Sequence, residues 1–178
     1  MFFKTTEQHE DFRARIREFA ESEVKPQAFL LDKENRFPTE AIEKLGKMGV
    51  LGTPYPKEYG GAGLDVLSYA IAVEELSRVD GGTGVILSAH VSLGTYPIFA
   101  YGTEEQKQKY LIPLVKGEKL AAFGLTEPNA GSDAGGTETT AVLEGDYYIL
   151  NGGKIFITNA DKADTYVRSE ERRVGKEC

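Results

Sequence analysis

The chain has 178 residues, 40% of them hydrophobic and 28% charged, and its 28 acidic against 21 basic side chains give a formal net charge of −7. That balance excludes a nucleic-acid binder, which needs a basic stripe to neutralise phosphates, and disfavours anionic membranes. No apolar run approaches the roughly 20 residues of a membrane helix, Met1 to Lys4 lacks an apolar signal stretch, and the single cysteine, Cys178, leaves no partner for an internal disulfide or a multi-cysteine metal site.

Helical periodicity dominates from Thr5 to about Lys116. A first helix is predicted from about Thr6 to Val24, with Phe12, Ile16, Phe19, Ala20 and Val24 on one face, a Thr5/Gln8 capping box at its start and Pro26 as its stop. A second opens at Pro38, carries Ala41, Ile42, Leu45 and Met48, and ends at Gly49. The run 49–64 holds too much glycine and proline for helix or strand and reads as a loop. Asp65 or Ser68 starts a third helix bearing Leu67, Ala70, Ile71, Val73 and Leu76, and Thr83 to Leu93 is apolar nearly all round, as a helix buried on several sides would be. T-E-E-Q at Thr103 has capping-box spacing for a fifth helix that Pro113 bends or ends. These five helices predict a bundle with short connections. Beyond it, Leu120–Leu125, Thr139–Leu143, Tyr147–Leu150 and Lys154–Thr158 read as strands, the last three separated by E-G-D and N-G-G turns. The fold class is therefore α+β: an all-α bundle followed by a partial antiparallel β-domain.

Within the β-half, Gly124–Gly136 reads G-L-T-E-P-N-A-G-S-D-A-G-G. Small residues permit close backbone approach, and hydroxyls and N–H groups can bond an anionic or carbonyl-rich ligand. The spacing matches neither a phosphate loop nor a dinucleotide fingerprint, and composition alone leaves a long turn and a ligand cradle as equal readings. Glu127 and Asp133 are read as acceptors of backbone hydrogen bonds and not as an acid–base pair. His90 is read as a packed histidine with one hydrogen bond, His9 as solvent-facing, and Lys154 as a turn cap. Glu7 with Asp11 and Arg13 with Arg17 are like-charged i, i+4 pairs that mark a solvated face.

The loop G-L-T-E-x-x-A-G-S-D-x-x-G, the run K-I-F-I-T-N-A at 154–160 and P-K-E-Y-G-G-A-G-L at 56–64 resemble the acyl-CoA dehydrogenases, and the likeness extends to about residue 167. It implies FAD-dependent dehydrogenation of an acyl-CoA to the trans-2-enoyl-CoA, a short-chain substrate, an electron-transferring flavoprotein as acceptor and a homotetramer. The lack of an apolar signal or membrane run makes the sequence read as a cytoplasmic protein of a bacterium or a mature protein of the mitochondrial matrix in a eukaryote. By resemblance, Phe123, Gly124, Leu125, Thr126, Gly131, Ser132, Phe156, Ile157 and Thr158 contact the flavin, and Ser132, Ile86, Leu87 and Ser88 border the substrate. Phe156 stands where the family more often has Trp. The family's catalytic base is a glutamate that follows the β-domain, so no residue here is assigned catalysis, and no metal is implied. Flavin monooxygenases and nitroalkane oxidases share the fold, and a helical scaffold or partner-binding fragment without flavin is the non-enzyme alternative. The expected division is a helical domain at 1–118, a partial middle β-domain at 119–167, and residues 168–178 as a tail that is non-native or disordered. Seven of the eleven residues in R-S-E-E-R-R-V-G-K-E-C are charged, so a β-domain ending there would be truncated, with unpaired edges.

Overall fold

In the computed structural model, which describes residues 4–171, the helical half consists of five rods. The first runs through α1 (Glu7–Phe19), a π turn (Ala20–Val24) and α2 (Lys25–Lys33) without a break. The second is α3 (Thr39–Lys47) and the third α4 (Val66–Ser77). The fourth joins α5 (Gly81–Ser88), a π turn (Ala89–Thr95) and α6 (Tyr96–Tyr101). The fifth joins α7 (Glu104–Gln106), a π turn (Lys107–Leu111) and α8 (Ile112–Val115).

Pro26 therefore does not stop the first helix. Pro26, Pro97 and Pro113 are each the second residue past a π turn. A helical proline lacks an N–H and crowds the carbonyl four residues back, and a locally widened turn relieves both problems without ending the rod.

The starts of the rods are set by side-chain caps. Thr103 and Gln106 form the capping box the sequence predicts. At α1 the box is one residue later than predicted: Thr6 N–H donates to His9 Nδ1 at 3.0 Å, and the Thr6 hydroxyl accepts from His9 N–H. His9 is buried rather than solvent-facing, because its Nε2 reaches Asp65 Oδ2 at 2.9 Å. Asp65 in turn caps α4 by accepting from Ser68 N–H at 2.8 Å, so one contact ties two helix N-termini together.

The apolar faces of the rods meet in a core of Ile16, Leu45, Leu51, Ile71, Leu76, Leu87 and Leu111, with the ring of Tyr55. Tyr55 donates to the carbonyl of Val91 at 2.5 Å, which gives its buried hydroxyl a partner. Arg13 and Arg17 do not mark a solvated face. Both reach across to Glu75 on α4, whose side chain is fully buried: Arg13 at 2.8 Å, Arg17 at 2.8 and 2.9 Å, and Arg78 at 3.1 Å. Arg17, then Arg13, hold the Glu75 carboxyl down at about 2.

The β-half is mixed. β1 (Ala121–Gly124) pairs in parallel with β4 (Thr165–Arg168), while β2 (Thr140–Glu144) and β3 (Tyr147–Asn151) form an antiparallel hairpin closed at Gly145 (φ 60°). The antiparallel expectation holds for the hairpin only; β4 lies too far along the chain from β1 for local pattern to reveal the pairing. Lys154–Thr158 is not a strand, because Phe156 takes a positive φ of 57°, incompatible with an extended run, and Gly152 and Asn159 turn the chain in the same hand on either side of it. Arg168 lies within β4, and Ser169 and Glu171 donate backbone hydrogen bonds to Gly124 and Thr139. The rest of the predicted tail, 172–178, lies outside the described residues, as does Cys178.

Candidate functional site

β1 delivers the glycine-rich loop from the floor of the helical half. Gly94 on the fourth rod lies against Ala121: a Cβ at Gly94 would stand 2.5 Å from that of Ala121, so glycine is what allows the rod and β1 to touch. His90, on the same π turn, is fully buried; its Nδ1 accepts from Ala121 N–H at 3.0 Å and its Nε2 lies 3.2 Å from the carbonyl of Leu114. An acceptor at Nδ1 and a donor at Nε2 define the neutral Nε2–H tautomer. Burial pushes this imidazole down to about 4. The histidine is structural, as the sequence suggests, with two partners instead of one.

Past Gly124 the loop turns tightly, with Glu127 and Ala130 exchanging backbone hydrogen bonds, and ends in a 3₁₀ turn at Ala134–Gly136. Glu127 holds the loop together. It is buried, accepts from the N–H groups of Glu138 (2.7 Å) and Thr139 (3.1 Å), and pairs with Lys154 Nζ at 2.7 Å. Lys154 first, with the backbone N–H groups of Glu138 and Thr139 behind it, holds this carboxyl down at about 2, which removes Glu127 as a proton acceptor near neutrality. The backbone-acceptor reading is thereby upheld for Glu127. Lys154 is more than a turn cap. It also donates to Leu125 O (2.9 Å) and Ser169 Oγ (3.0 Å), so its three donors are engaged inside the protein.

Those bonds bring the glycine-rich loop and the 154–160 segment side by side. Ile155 N–H donates to Thr126 O at 2.9 Å, placing 154–158 beside Gly124–Thr126. Phe123, Leu125, Thr126, Ile157 and Thr158 are half-buried, and Gly124 is buried at the junction. Gly131 and Ser132 stand exposed farther along the loop, and the space where a Gly131 Cβ would go is open. Phe156 is 88% exposed on a left-handed backbone (φ 57°).

Of the predicted substrate-side residues, Leu87 is fully buried in the helical core, Ile86 is 7% exposed, and half-buried Ser88 accepts from the Tyr69 hydroxyl at 3.2 Å. Asn159, which the sequence reading passed over, links the two regions: its Nδ2 donates to Ala121 O at 3.1 Å and Ile86 O at 3.3 Å. The available signal was an Asn, tolerant of positive φ, closing an apolar run. An open groove of about 760 Å³ lies elsewhere, between α6 and β4, lined by Pro97, Ile98, Tyr101, Tyr110, Tyr166 and Val167. Among the described residues no cluster could hold a metal ion, and no helix is long and apolar enough to cross a membrane.

Comparison with known proteins gives two matches in tandem: residues 6–118 match the acyl-CoA dehydrogenase N-terminal domain, and 122–174 match the acyl-CoA dehydrogenase middle domain. A short-chain specific acyl-CoA dehydrogenase of Clostridium acetobutylicum is 62% identical over 167 residues, covering 94% of this chain and 44% of that protein. The structure of butyryl-CoA dehydrogenase from Megasphaera elsdenii superposes with a TM-score of 0.89 at 46% identity, over 94% of this chain and 45% of that one. An acyl-CoA dehydrogenase complexed with FAD from Bacillus anthracis gives a TM-score of 0.89 at 40% identity, over 94% of this chain and 29% of that one. The chain spans less than half the length of these relatives. With both domain models matched in order and the loop and the 154–160 segment held together by Lys154, the chain belongs to the acyl-CoA dehydrogenase family.

Proposed function

We propose that these residues form the helical and flavin-loop part of an FAD-dependent acyl-CoA dehydrogenase that converts a short-chain acyl-CoA to the trans-2-enoyl-CoA. The observation that carries the reading is Phe156. A non-glycine residue at positive φ is strained by about 1–3 kcal/mol, and an aromatic ring left in water recovers none of that through burial. A planar aromatic ligand lying on the ring would supply the missing burial, and the open space at Gly131 leaves room beside the loop. The residues therefore fit a flavin.

When bound, FAD supplies the acceptor for the hydride that leaves the substrate β-carbon. The chain's own contribution is orientation. Gly124, Leu125, Thr126, Ile157 and Thr158 hold the flavin edge, with N–H and hydroxyl donors fixed in advance by the Glu127–Lys154 pair, so charge at that edge is stabilised without reorganising the loop. Phe123 and Phe156 form apolar walls, Gly131 and Ser132 reach the cofactor and the CoA side, and Ile86 with Ser88 limits the acyl chain, backed by Leu87. Removal of the α-proton is assigned to the glutamate that follows the β-domain in the family. The electron-transferring flavoprotein, the homotetramer, and the location in bacterial cytoplasm or mitochondrial matrix belong to the same proposal, as do the domain limits 1–118 and 119–167.

Phe156→Gly separates this reading from a flavin-free scaffold. Glycine relaxes the positive φ, so thermal stability rises by about 1 kcal/mol, while removal of the ring weakens FAD binding, read as quenching of flavin fluorescence. A wild-type chain that leaves flavin fluorescence unchanged at every protein concentration overturns the proposal. With butyryl-CoA and an artificial electron acceptor, the 178-residue chain alone gives no turnover; robust turnover contradicts the assignment of the base elsewhere.

A further inference from the structure

We infer that Asn159 is a positioning residue that sets Thr158 against both the flavin-loop strand and the substrate-side helix, with Ala121 as the shared anchor. The inference rests on the function proposed above for Thr158. Asn159 is 5% exposed at φ 71°, and its amide nitrogen spans two separate backbones, donating to Ala121 O on β1 at 3.1 Å and to Ile86 O on α5 at 3.3 Å. Two carbonyls facing one amide fix which end is nitrogen. Its Oδ1 is buried with no hydrogen-bond partner among the described residues, so the side chain is held by its donors alone.

The backbone of Asn159 is anchored as well. Its carbonyl accepts from Lys162 N–H at 3.0 Å and Ala163 N–H at 2.8 Å, which closes the turn leading toward β4. Ile86 lies just before the fourth rod changes from α to π hydrogen bonding, where a carbonyl has a lone pair to spare for a side-chain donor. Ala121 is gripped from both sides: its N–H goes to His90 on that rod and its C=O to Asn159. The residue after Thr158 thus measures the separation between the strand that launches the loop and the helix proposed to limit the acyl chain. A shift in any one of the three segments is passed to the other two through Ala121.

Asn159→Asp keeps size and tolerance of positive φ but turns a carboxylate toward two carbonyls; Asn159→Gly keeps the backbone and removes both bridges. Amide hydrogen exchange on the 178-residue chain reads the result. Both variants raise exchange at Ala121 and at 155–160 by tenfold or more while α1 and α4 keep wild-type rates, and Asn159→Gly carries the test if Asn159→Asp does not fold. Unchanged exchange at 155–160, or a uniform rise through α1 and α4, overturns the inference, the latter because it marks only a loss of overall stability. FAD titration separates this from the parent proposal. Where wild type quenches flavin fluorescence, a half-saturation point at least fivefold higher in both variants supports the positioning role, and an unchanged one overturns it. Where wild type does not quench, the flavin reading fails and exchange alone decides the place of Asn159.

Discussion

The two halves of the chain are ordered by different forces. In the helical half, aliphatic side chains close around one another, and the connected core ends along the chain at Leu120. Beyond it the buried apolar residues among those described are three alanines, Ala121, Ala122 and Ala130, while every residue of β3 is exposed. The β-half is held instead by polar ties: Lys154 to Glu127, Asn159 to Ala121, and Asp164 to the N–H of Leu120 at 2.9 Å. Burial tolerates small displacements because it is non-directional, whereas hydrogen bonds fix position and add little net stability. A loop meant to orient a ligand benefits from the second kind of order.

The sharpest way to break this contrast is Leu76→Ala, which opens a cavity in the fully buried core and costs about 2–5 kcal/mol in denaturant unfolding; a loss below 1 kcal/mol would mean that the helical half is not held by packing. His90 comes next. Its folded value of about 4 lies below the ordinary 6.5, so the unfolded chain binds the proton first as pH drops. The contribution is complete above pH 6.5 and is lost as pH falls toward about 4, amounting to roughly 3 kcal/mol across that window, and His90→Gln flattens the profile there. Glu75→Ala follows at about 2 kcal/mol: it strands Arg13, Arg17 and Arg78, but these can turn to water, so the loss stays below that of a sealed ion pair. The smallest effect belongs to the hairpin, where Leu143→Ser at a 60% exposed position changes stability by less than about 0.5 kcal/mol. A larger loss would show that β2 and β3 carry hydrophobic stability.

What could be read from the sequence follows the same division. The helical half was legible because apolar residues such as Phe12, Ile16 and Phe19, or Ile42 and Leu45, recur three or four apart, and the Thr103–Gln106 box because its two bonds join residues three apart. The loop at 124–136 was legible by composition, and the resemblance paired it with 154–160. Distant polar pairs were not: no local pattern links Arg17 to Glu75, Lys154 to Leu125, or Asn159 to Ile86. Backbone handedness was hidden too. Lys154–Thr158 has the residues of a strand, and only the positive φ at Phe156 forbids one.

The wide turns have a bearing on chain length. A π turn takes up one residue more than an α turn, so deleting one residue inside it restores ordinary winding and leaves the flanking segments close to their original phase, whereas the same deletion in a regular α segment rotates one end against the other by about 100°. In the first and fifth rods a deletion inside the turn would therefore leave the flanking faces aimed much as before. In the fourth, His90 and Gly94 both meet β1 from within the wide stretch Ala89–Thr95. That rod is keyed to its strand like a tooth to a rack, and its residue count is as much a part of the fit as the identity of its side chains.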